Sequence, residues 1–167
     1  VWNKALNWLF LKGFIHISLL FLLPGCFLCL FSCENEDQRR IPEASVYMEL
    51  NLATSYPTFR YSVNDTLVFT HPRNGHPTDR VGYGGILVYT FVNGTETNYC
   101  AFDLCCPNEV NPLIRVYPND QGKAVCKSCG TVYQLLTGSG LVESGPSRWN
   151  LKRYTTHLSG DILYISR

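Results

Sequence analysis

The sequence lacks an excess of either charge once its first 32 residues are set aside. Two of its 14 lysine and arginine residues, Lys4 and Lys12, precede Cys33, which leaves 12 against 13 aspartate and glutamate residues. Because nucleic-acid-binding proteins carry a basic patch, we expect no nucleic-acid partner. There is also no Ser-His-Asp arrangement, carboxylate pair or phosphate-binding loop, so we identify no catalytic residues.

A helical period of 3.6 residues is missing as well. From about Val46 onward, β-branched and aromatic residues occur in short runs separated by Gly, Pro, Asn and Asp, which is typical of strands. The runs lie near residues 45–51, 66–71, 84–91, 98–104, 113–117, 124–128, 131–136, 152–158 and 161–167. Asn93-Gly94 favours a hairpin turn. We predict an antiparallel, all-β domain over residues 45–167.

The glycines at positions 82, 84 and 85 precede a strand-like run rather than a helix. A phosphate-binding loop needs a helix after its glycines. We therefore predict close backbone packing or a bulge at this point.

The first 32 residues carry no charge beyond two lysines. From Gly13 to Ser32 the run "GFIHISLLFLLPGCFLCLFS" is uncharged, which is typical of a signal peptide over residues 1–32. A plain secretory signal and an uncleaved membrane anchor are the alternatives. Each of these readings places the domain outside the cytoplasm.

Leu30-Phe31-Ser32-Cys33 resembles the lipobox of bacterial lipoproteins, which implies lipidation of Cys33 and a membrane anchor; Leu23-Pro24-Gly25-Cys26 is a second candidate. The charged segment "ENEDQRR" that follows predicts a flexible tether over residues 33–44. It is similar to the acidic stretch of surface lipoproteins in the Bacteroides group. The resemblance implies a cell-envelope lipoprotein, at the outer membrane or cell surface of a Gram-negative bacterium.

Five of the eight cysteines lie within thirty residues of one another. Cys126-x-x-Cys129-Gly130 has the spacing of a metal knuckle, in which two thiolates on a tight turn face one ion. Cys105-Cys106-Pro107 precedes it by about twenty residues. Because successive side chains of an extended segment point to opposite faces, at most one of the vicinal cysteines can bind the same ion.

The segments "AFDLCCPNE" and "VCKSCGTVYQLLTGSGLVESGPSRWNLKRYTTHLSGDILYI" resemble the Rieske iron–sulfur domain between Gly84 and Ile165. Cys106 and Cys126 match the two cysteines of that family, while Asn108 and Cys129 stand where its two histidines belong. The resemblance implies a small antiparallel β-sandwich with two metal-binding loops at one end. It also implies a two-iron, two-sulfur cluster and a redox protein partner.

Both histidine ligands of the Rieske motif are absent, which leaves three alternatives open. One is a modified cluster with a fourth ligand from Cys100, Cys105 or Asn108. The second is a structural zinc ion held by thiolates. The third is a disulfide that joins Cys105 or Cys106 to Cys126 or Cys129, with no cofactor. The function is then either electron transfer or that of a cluster-free structural or binding module.

Other polar and aromatic residues near the loops are given no functional role. We expect Asp103 and Glu109 to be solvated, as charged residues beside loops usually are. Trp149 is expected to cap the sheet.

Overall fold

The computed structural model describes residues 40–167. The predicted signal peptide, Cys33 and most of the predicted tether lie outside the described residues. Packing begins before residue 45, because Ile41 is already buried. Across residues 40–167, no helix combines the length and the apolar character needed to cross a membrane.

Within residues 40–167 the chain forms eleven strands and a short helix, α1. Their bounds are β1 Val46–Asn51, α1 Pro57–Tyr61, β2 Thr66–Phe69, β3 Arg80–Val81, β4 Ile86–Asn93, β5 Glu96–Asp103, β6 Val116–Asn119, β7 Lys123–Cys126, β8 Val132–Gln134, β9 Val142–Ser144, β10 Arg153–Ser159 and β11 Ile162–Ser166. All of the pairings between these strands are antiparallel. The all-β, antiparallel prediction is confirmed.

The strands form two sheets. The larger has seven strands in the order β2-β4-β5-β10-β11-β1-β3, and the smaller has four in the order β6-β7-β8-β9. The smaller sheet is formed entirely by the chain between β5 and β10. Arg153 of β10 pairs with Phe102 of β5, so the chain leaves and rejoins the larger sheet at neighbouring positions.

The larger sheet curls around a core of its own, which we call the barrel core. Side chains from β1 and β4, which are separated by three strands in the sheet, pack together there, and this requires a curved, nearly closed sheet. The buried residues of the barrel core are Val46, Met48, Leu50, Leu52, Phe59, Ile86, Val88, Ala101, Tyr154, Leu163 and Ile165.

The second core lies between the smaller sheet and the outer face of β4 and β5, and we call it the site core. Its buried residues are Leu87, Tyr89, Cys100, Phe102, Leu104, Cys106, Val116, Ala124, Cys126, Tyr133, Leu135 and Leu151. Because successive side chains of a strand point to opposite faces, β4 supplies Ile86 and Val88 to one core and Leu87 and Tyr89 to the other. This explains why its first five residues are all buried.

Local details refine the sequence predictions. The strands β3 and β9 and the helix α1 were not expected; they have two, three and five residues, too few for a period to show. The β4–β5 hairpin is present, but its loop residues are Gly94 and Thr95 because Asn93 pairs with Glu96. Close packing of the glycines is confirmed: a Cβ atom on Gly84 would lie 2.5 Å from the backbone nitrogen of Cys105.

Candidate metal centre

Three cysteines from two loops meet at one end of the site core. Cys106 follows β5, Cys126 ends β7, and Cys129 lies in the turn that leads to β8. Their three sulfur atoms all lie within 4.8 Å of one another, and those of Cys106 and Cys129 are 3.7 Å apart. Cys106 and Cys126 are buried and Cys129 is partly exposed, so the group is open to solvent on one side only.

Backbone hydrogen bonds fold each loop into a tight turn. In the second loop, Gly130 donates its N–H to the carbonyl of Cys126 at 2.9 Å, and Cys126 donates to the carbonyl of Thr131 at 2.9 Å. Gly130 has a φ of 76°, which glycine adopts without steric cost. In the first loop, the amides of Glu109 and Val110 both donate to the carbonyl of Cys106. Both loops are therefore fixed by the backbone itself.

The turns also direct donors at the sulfur atoms. Burial raises the pKa of the Cys106 thiol to about 12, although the hydroxyl of Tyr133 and the amides of Glu109 and Asn108 favour its thiolate. For Cys129, burial acts to raise the pKa, but hydrogen bonds from Thr131, Cys126 and Cys106 together outweigh it, and the pKa is lowered. Amide donors of this kind stabilise the thiolate form that a metal binds.

Two hydroxyl groups contact the sulfur atoms. The Tyr133 hydroxyl lies 3.6 Å from the Cys106 sulfur, and the Thr131 hydroxyl lies 3.1 Å from the Cys129 sulfur. Ser147 donates its N–H to the Thr131 hydroxyl at 3.2 Å. These groups were not predicted from the sequence. Thr131 directly precedes β8 and Tyr133 lies within it, so side-chain alternation along this segment could have placed both on the same face beside the cysteine turn.

Cys105 is separated from the group although it adjoins Cys106. Its sulfur lies 3.4 Å from the carbonyl oxygen of Asn111, and burial raises the pKa of its thiol to about 12. Cys100, the other proposed alternative, hydrogen-bonds through its sulfur to the Tyr89 carbonyl at 3.6 Å within the site core. The structure thus brings together Cys106, Cys126 and Cys129 and leaves the other two thiols with separate partners.

The side chain of Asn108 is bonded to a neighbour. Its amide nitrogen lies 3.4 Å from a carboxylate oxygen of Glu109, and both residues are partly buried. Among residues 40–167, the group of possible ligands contains no histidine and no carboxylate. His71 contacts the hydroxyl of Thr70, and His157 stacks on Tyr164.

Asp103 is buried, and the expectation that it would be solvated was wrong. Its carboxylate accepts hydrogen bonds from the amides of Tyr83, Gly84 and Cys105 at 2.7 to 3.0 Å, and from the hydroxyl of Tyr154. These four donors make burial of the carboxylate possible. Since Asp103 ends β5 just before Leu104, it fixes the base of the first cysteine loop.

One sulfur–sulfur distance agrees with a single tetrahedral ion. With zinc–sulfur bonds of about 2.3 Å, two thiolates on one tetrahedral ion lie about 3.8 Å apart. The Cys106–Cys129 separation of 3.7 Å agrees with this value. All five cysteines of the described chain are free thiols, so the structure contains no disulfide between the two loops.

Comparisons with models of protein families and with curated proteins found no match.

Proposed function

We propose that this chain is a Rieske-like lipoprotein of the cell envelope in which Cys106, Cys126 and Cys129 hold one metal ion, with zinc as the best fit. The ion joins the two loops at the end of the site core. The function that follows is a structural metal centre within a membrane-anchored binding module, without catalysis by the residues described.

The observation that carries this proposal is the short distance between Cys106 and Cys129. In the Rieske arrangement, positions 106 and 129 serve different irons of the cluster. Ligands on different irons lie farther apart than two ligands on one ion. A separation of 3.7 Å therefore favours a mononuclear site.

The order of elements after the second loop supports the Rieske-like part of the proposal. Cys129 and Gly130 are followed by β8, a turn that contains Gly138 and Gly140, then β9, Gly145-Pro146 and the closing hairpin of β10 and β11. This is the order that the sequence resemblance implies. The two cysteine loops also lie together at one end of the smaller sheet, as that family requires.

A thiolate set of this kind suits zinc chemically. Cys106, Cys126 and Cys129 would supply three sulfur ligands, and zinc would add a cross-link between the loops without redox chemistry. The buried backbone amides and hydroxyls around the sulfurs would offset part of the thiolate charge. The fourth ligand would come from Asn108 or from solvent.

A two-iron, two-sulfur cluster with electron transfer is the second candidate. The contact between the Tyr133 hydroxyl and the Cys106 sulfur favours it, because hydrogen bonds to sulfur ligands set the potential of such clusters. A redox protein partner would then exchange electrons at the partly exposed Cys129 side of the site. The thiolate at position 129 would give a lower potential than that of a Rieske centre with two histidines.

Metal and sulfide analysis of the anaerobically purified protein separates the candidates. We expect a colourless protein with about one zinc per chain. Cys106→Ser should abolish metal binding, whereas Cys105→Ser, its matched neighbour, should retain it. Iron with an equal amount of inorganic sulfide would show that the cluster is correct, and metal-free protein with thiols resistant to alkylation would favour a disulfide.

A second experiment tests the Rieske-like scaffold. The double substitution Asn108→His and Cys129→His restores the ligand types of that family. After reconstitution with iron and sulfide, we expect the optical and paramagnetic signals of a Rieske centre. Continued absence of iron binding would show that the two loops do not have the geometry to hold a cluster.

A further inference from the structure

The last residues of the predicted tether are held against the metal-site end of the domain. Arg40 donates from Nε to the carbonyl of Pro107 at 3.1 Å. Its guanidinium carbon also lies 4.1 Å from the centre of the Trp149 ring, a cation–π contact. Pro107 directly follows the ligand Cys106, so Arg40 is in contact with the first cysteine loop.

A second set of contacts fixes the next three residues. Lys152 is only 4% exposed, and its ammonium group donates to the carbonyls of Ile41 and Pro42 at 3.2 and 3.4 Å. It also lies 3.5 Å from the carboxylate of Glu43. Burial lowers the pKa of Lys152. These partners compensate the buried amine, and together they hold residues 41–43 in place.

Both attachment points belong to the metal-site end. Trp149 lies two residues after Ser147, which hydrogen-bonds to Thr131 in the second cysteine loop. The amide of Asp103, at the base of the first loop, donates to the carbonyl of Lys152 at 2.8 Å. The chain therefore enters the domain beside the metal site, and the opposite end carries the β4–β5 turn.

We propose that the metal-site end faces the bilayer that carries the lipid anchor. This inference rests on the proposed function, through lipidation of Cys33. Seven residue steps separate Cys33 from Arg40, and even fully extended they span at most about 25 Å. The eight residues of β5 separate the β4–β5 turn from the site end by roughly 24 Å. The β4–β5 turn could therefore reach the lipid headgroups only with the tether almost fully extended, whereas the site end lies near them in every conformation of the tether.

The exposed side chains at this end suit a headgroup surface. Leu113, on the loop after Cys106, is 77% exposed. Lys127, between two of the cysteines, and Arg148, beside Trp149, are exposed as well. Apolar and cationic side chains in combination are those that contact membrane interfaces. A partner of the metal site would accordingly be met at the membrane plane rather than in bulk solution.

Energy transfer from tryptophan to labelled lipids tests this orientation. Of the three tryptophans, Trp2 and Trp8 lie in the predicted signal peptide, so Trp149 is the single donor after processing. The full chain is produced in a Gram-negative host, its lipidation is checked by intact mass, and it is reconstituted into vesicles with a dansyl label on the headgroups. We expect strong transfer from Trp149.

A matched variant moves the donor to the opposite end. Trp149→Phe keeps an aromatic ring under Arg40, and Thr95→Trp places the indole at the exposed β4–β5 turn. Transfer from this position should be several-fold weaker. Insertion of a Gly/Ser linker of about 20 residues between positions 38 and 39 should remove the difference, because such a linker is flexible.

The outcomes separate this inference from the proposal on which it rests. Equal or stronger transfer from position 95 in a lipidated protein would overturn the orientation alone. A chain without lipid on Cys33 would overturn both the orientation and the envelope anchor. The metal content, measured on the same sample, tests the metal centre independently of both.

Discussion

The two faces of strands β4 and β5 lead to cores of different chemistry. Among the described residues, the barrel core contains no cysteine, and most of its side chains are aliphatic. The site core contains Cys100, Cys106 and Cys126 as buried residues, with Cys129 packed against it. Strands β4 and β5 thus separate the barrel core, which is stabilised by apolar burial, from the site core, which also contains the three possible metal ligands.

The strands around the two cores also differ in length. The strands β1, β4, β5, β10 and β11 have five to eight residues, whereas β6, β7, β8 and β9 have three or four. Short strands bury less apolar area, and area is what stabilises a core. The smaller sheet therefore depends more on other stabilising features, and a metal held by the three cysteines would be the strongest of them.

Loss of a metal ligand should have the largest effect, and that effect should be confined to the strands around the site core. Cys126→Ser removes a buried sulfur ligand, so the protein should lose its metal and several kcal/mol of stability. The upper limit is the about 10–16 kcal/mol with which zinc stabilises small zinc-dependent peptides. Hydrogen exchange should show loss of protection in β6–β9 with β1 and β11 still protected. Uniform loss of protection would contradict the separation into two cores.

Two truncations on strand β4 should have the next largest effect, and they should distinguish the two cores by their influence on metal retention. Ile86→Ala and Leu87→Ala remove fully buried side chains from adjacent positions that face different cores. Each should lower the free energy of unfolding by about 2–5 kcal/mol in urea titrations. Only Leu87→Ala should also weaken metal retention against a chelator. Equal effects on metal retention would mean that the strand transmits the damage to both sides.

Replacement of Asp103 should have a smaller effect at the boundary between the cores. Its carboxylate joins the barrel-core residue Tyr154 to the amide of Cys105. Asp103→Asn leaves donors without an acceptor and should cost about 1–3 kcal/mol. Asp161→Asn, which changes a half-exposed ion pair with Arg60, is the control and should change stability little. Similar losses of stability in both variants would argue that Asp103 does not connect the two cores.

The remaining expected effect is a dependence on pH. Burial raises the pKa of Cys100 from its ordinary 9.0 to about 12. The unfolded thiol ionises first, so its contribution to stability is complete below pH 9 and is lost as the pH rises toward 12. The stability gap between the wild-type protein and Cys100→Ala should narrow over this range, by less than about 1.4 kcal/mol per pH unit.

Val88→Ala is the control for this titration, because Val88 faces the barrel core and does not ionise. Its stability gap from the wild-type protein should stay constant from pH 9 to 12. A gap for Cys100→Ala that also stays constant would show that the Cys100 thiol is not perturbed by burial.

Local patterns carried most of the information that the sequence could provide. The alternation and turn residues around β4, β5, β10 and β11 predict those strands because each is long enough to show its period. The grouping of Cys126 with Cys129 follows from their spacing on one turn. Side-chain alternation predicts that at most one of Cys105 and Cys106 joins the group. The choice of Cys106 came from the family resemblance, and the sequence left Cys105 open as an alternative ligand.

What the sequence could not provide depends on contacts between distant segments. Aspartate is usually an exposed residue type, but Tyr154, 51 residues away, donates a hydrogen bond to the buried carboxylate of Asp103. Lys152 is buried because the carbonyls of Ile41 and Pro42, 110 or more residues away, satisfy its amine. No local pattern encodes such partners, since each side chain becomes stable in the interior only after the two segments have met.

The chain leaves and rejoins the larger sheet at neighbouring positions, which makes residues 104–152 one continuous insert. Phe102 and Arg153 are paired across β5 and β10, so a different insert could be fitted between them without changing the connections of the barrel. Evolution and protein engineers could therefore exchange the chemistry of this protein as a cassette, together with the outer-face residues of β4 and β5 that complete the site core, while the residues that face the barrel core are retained.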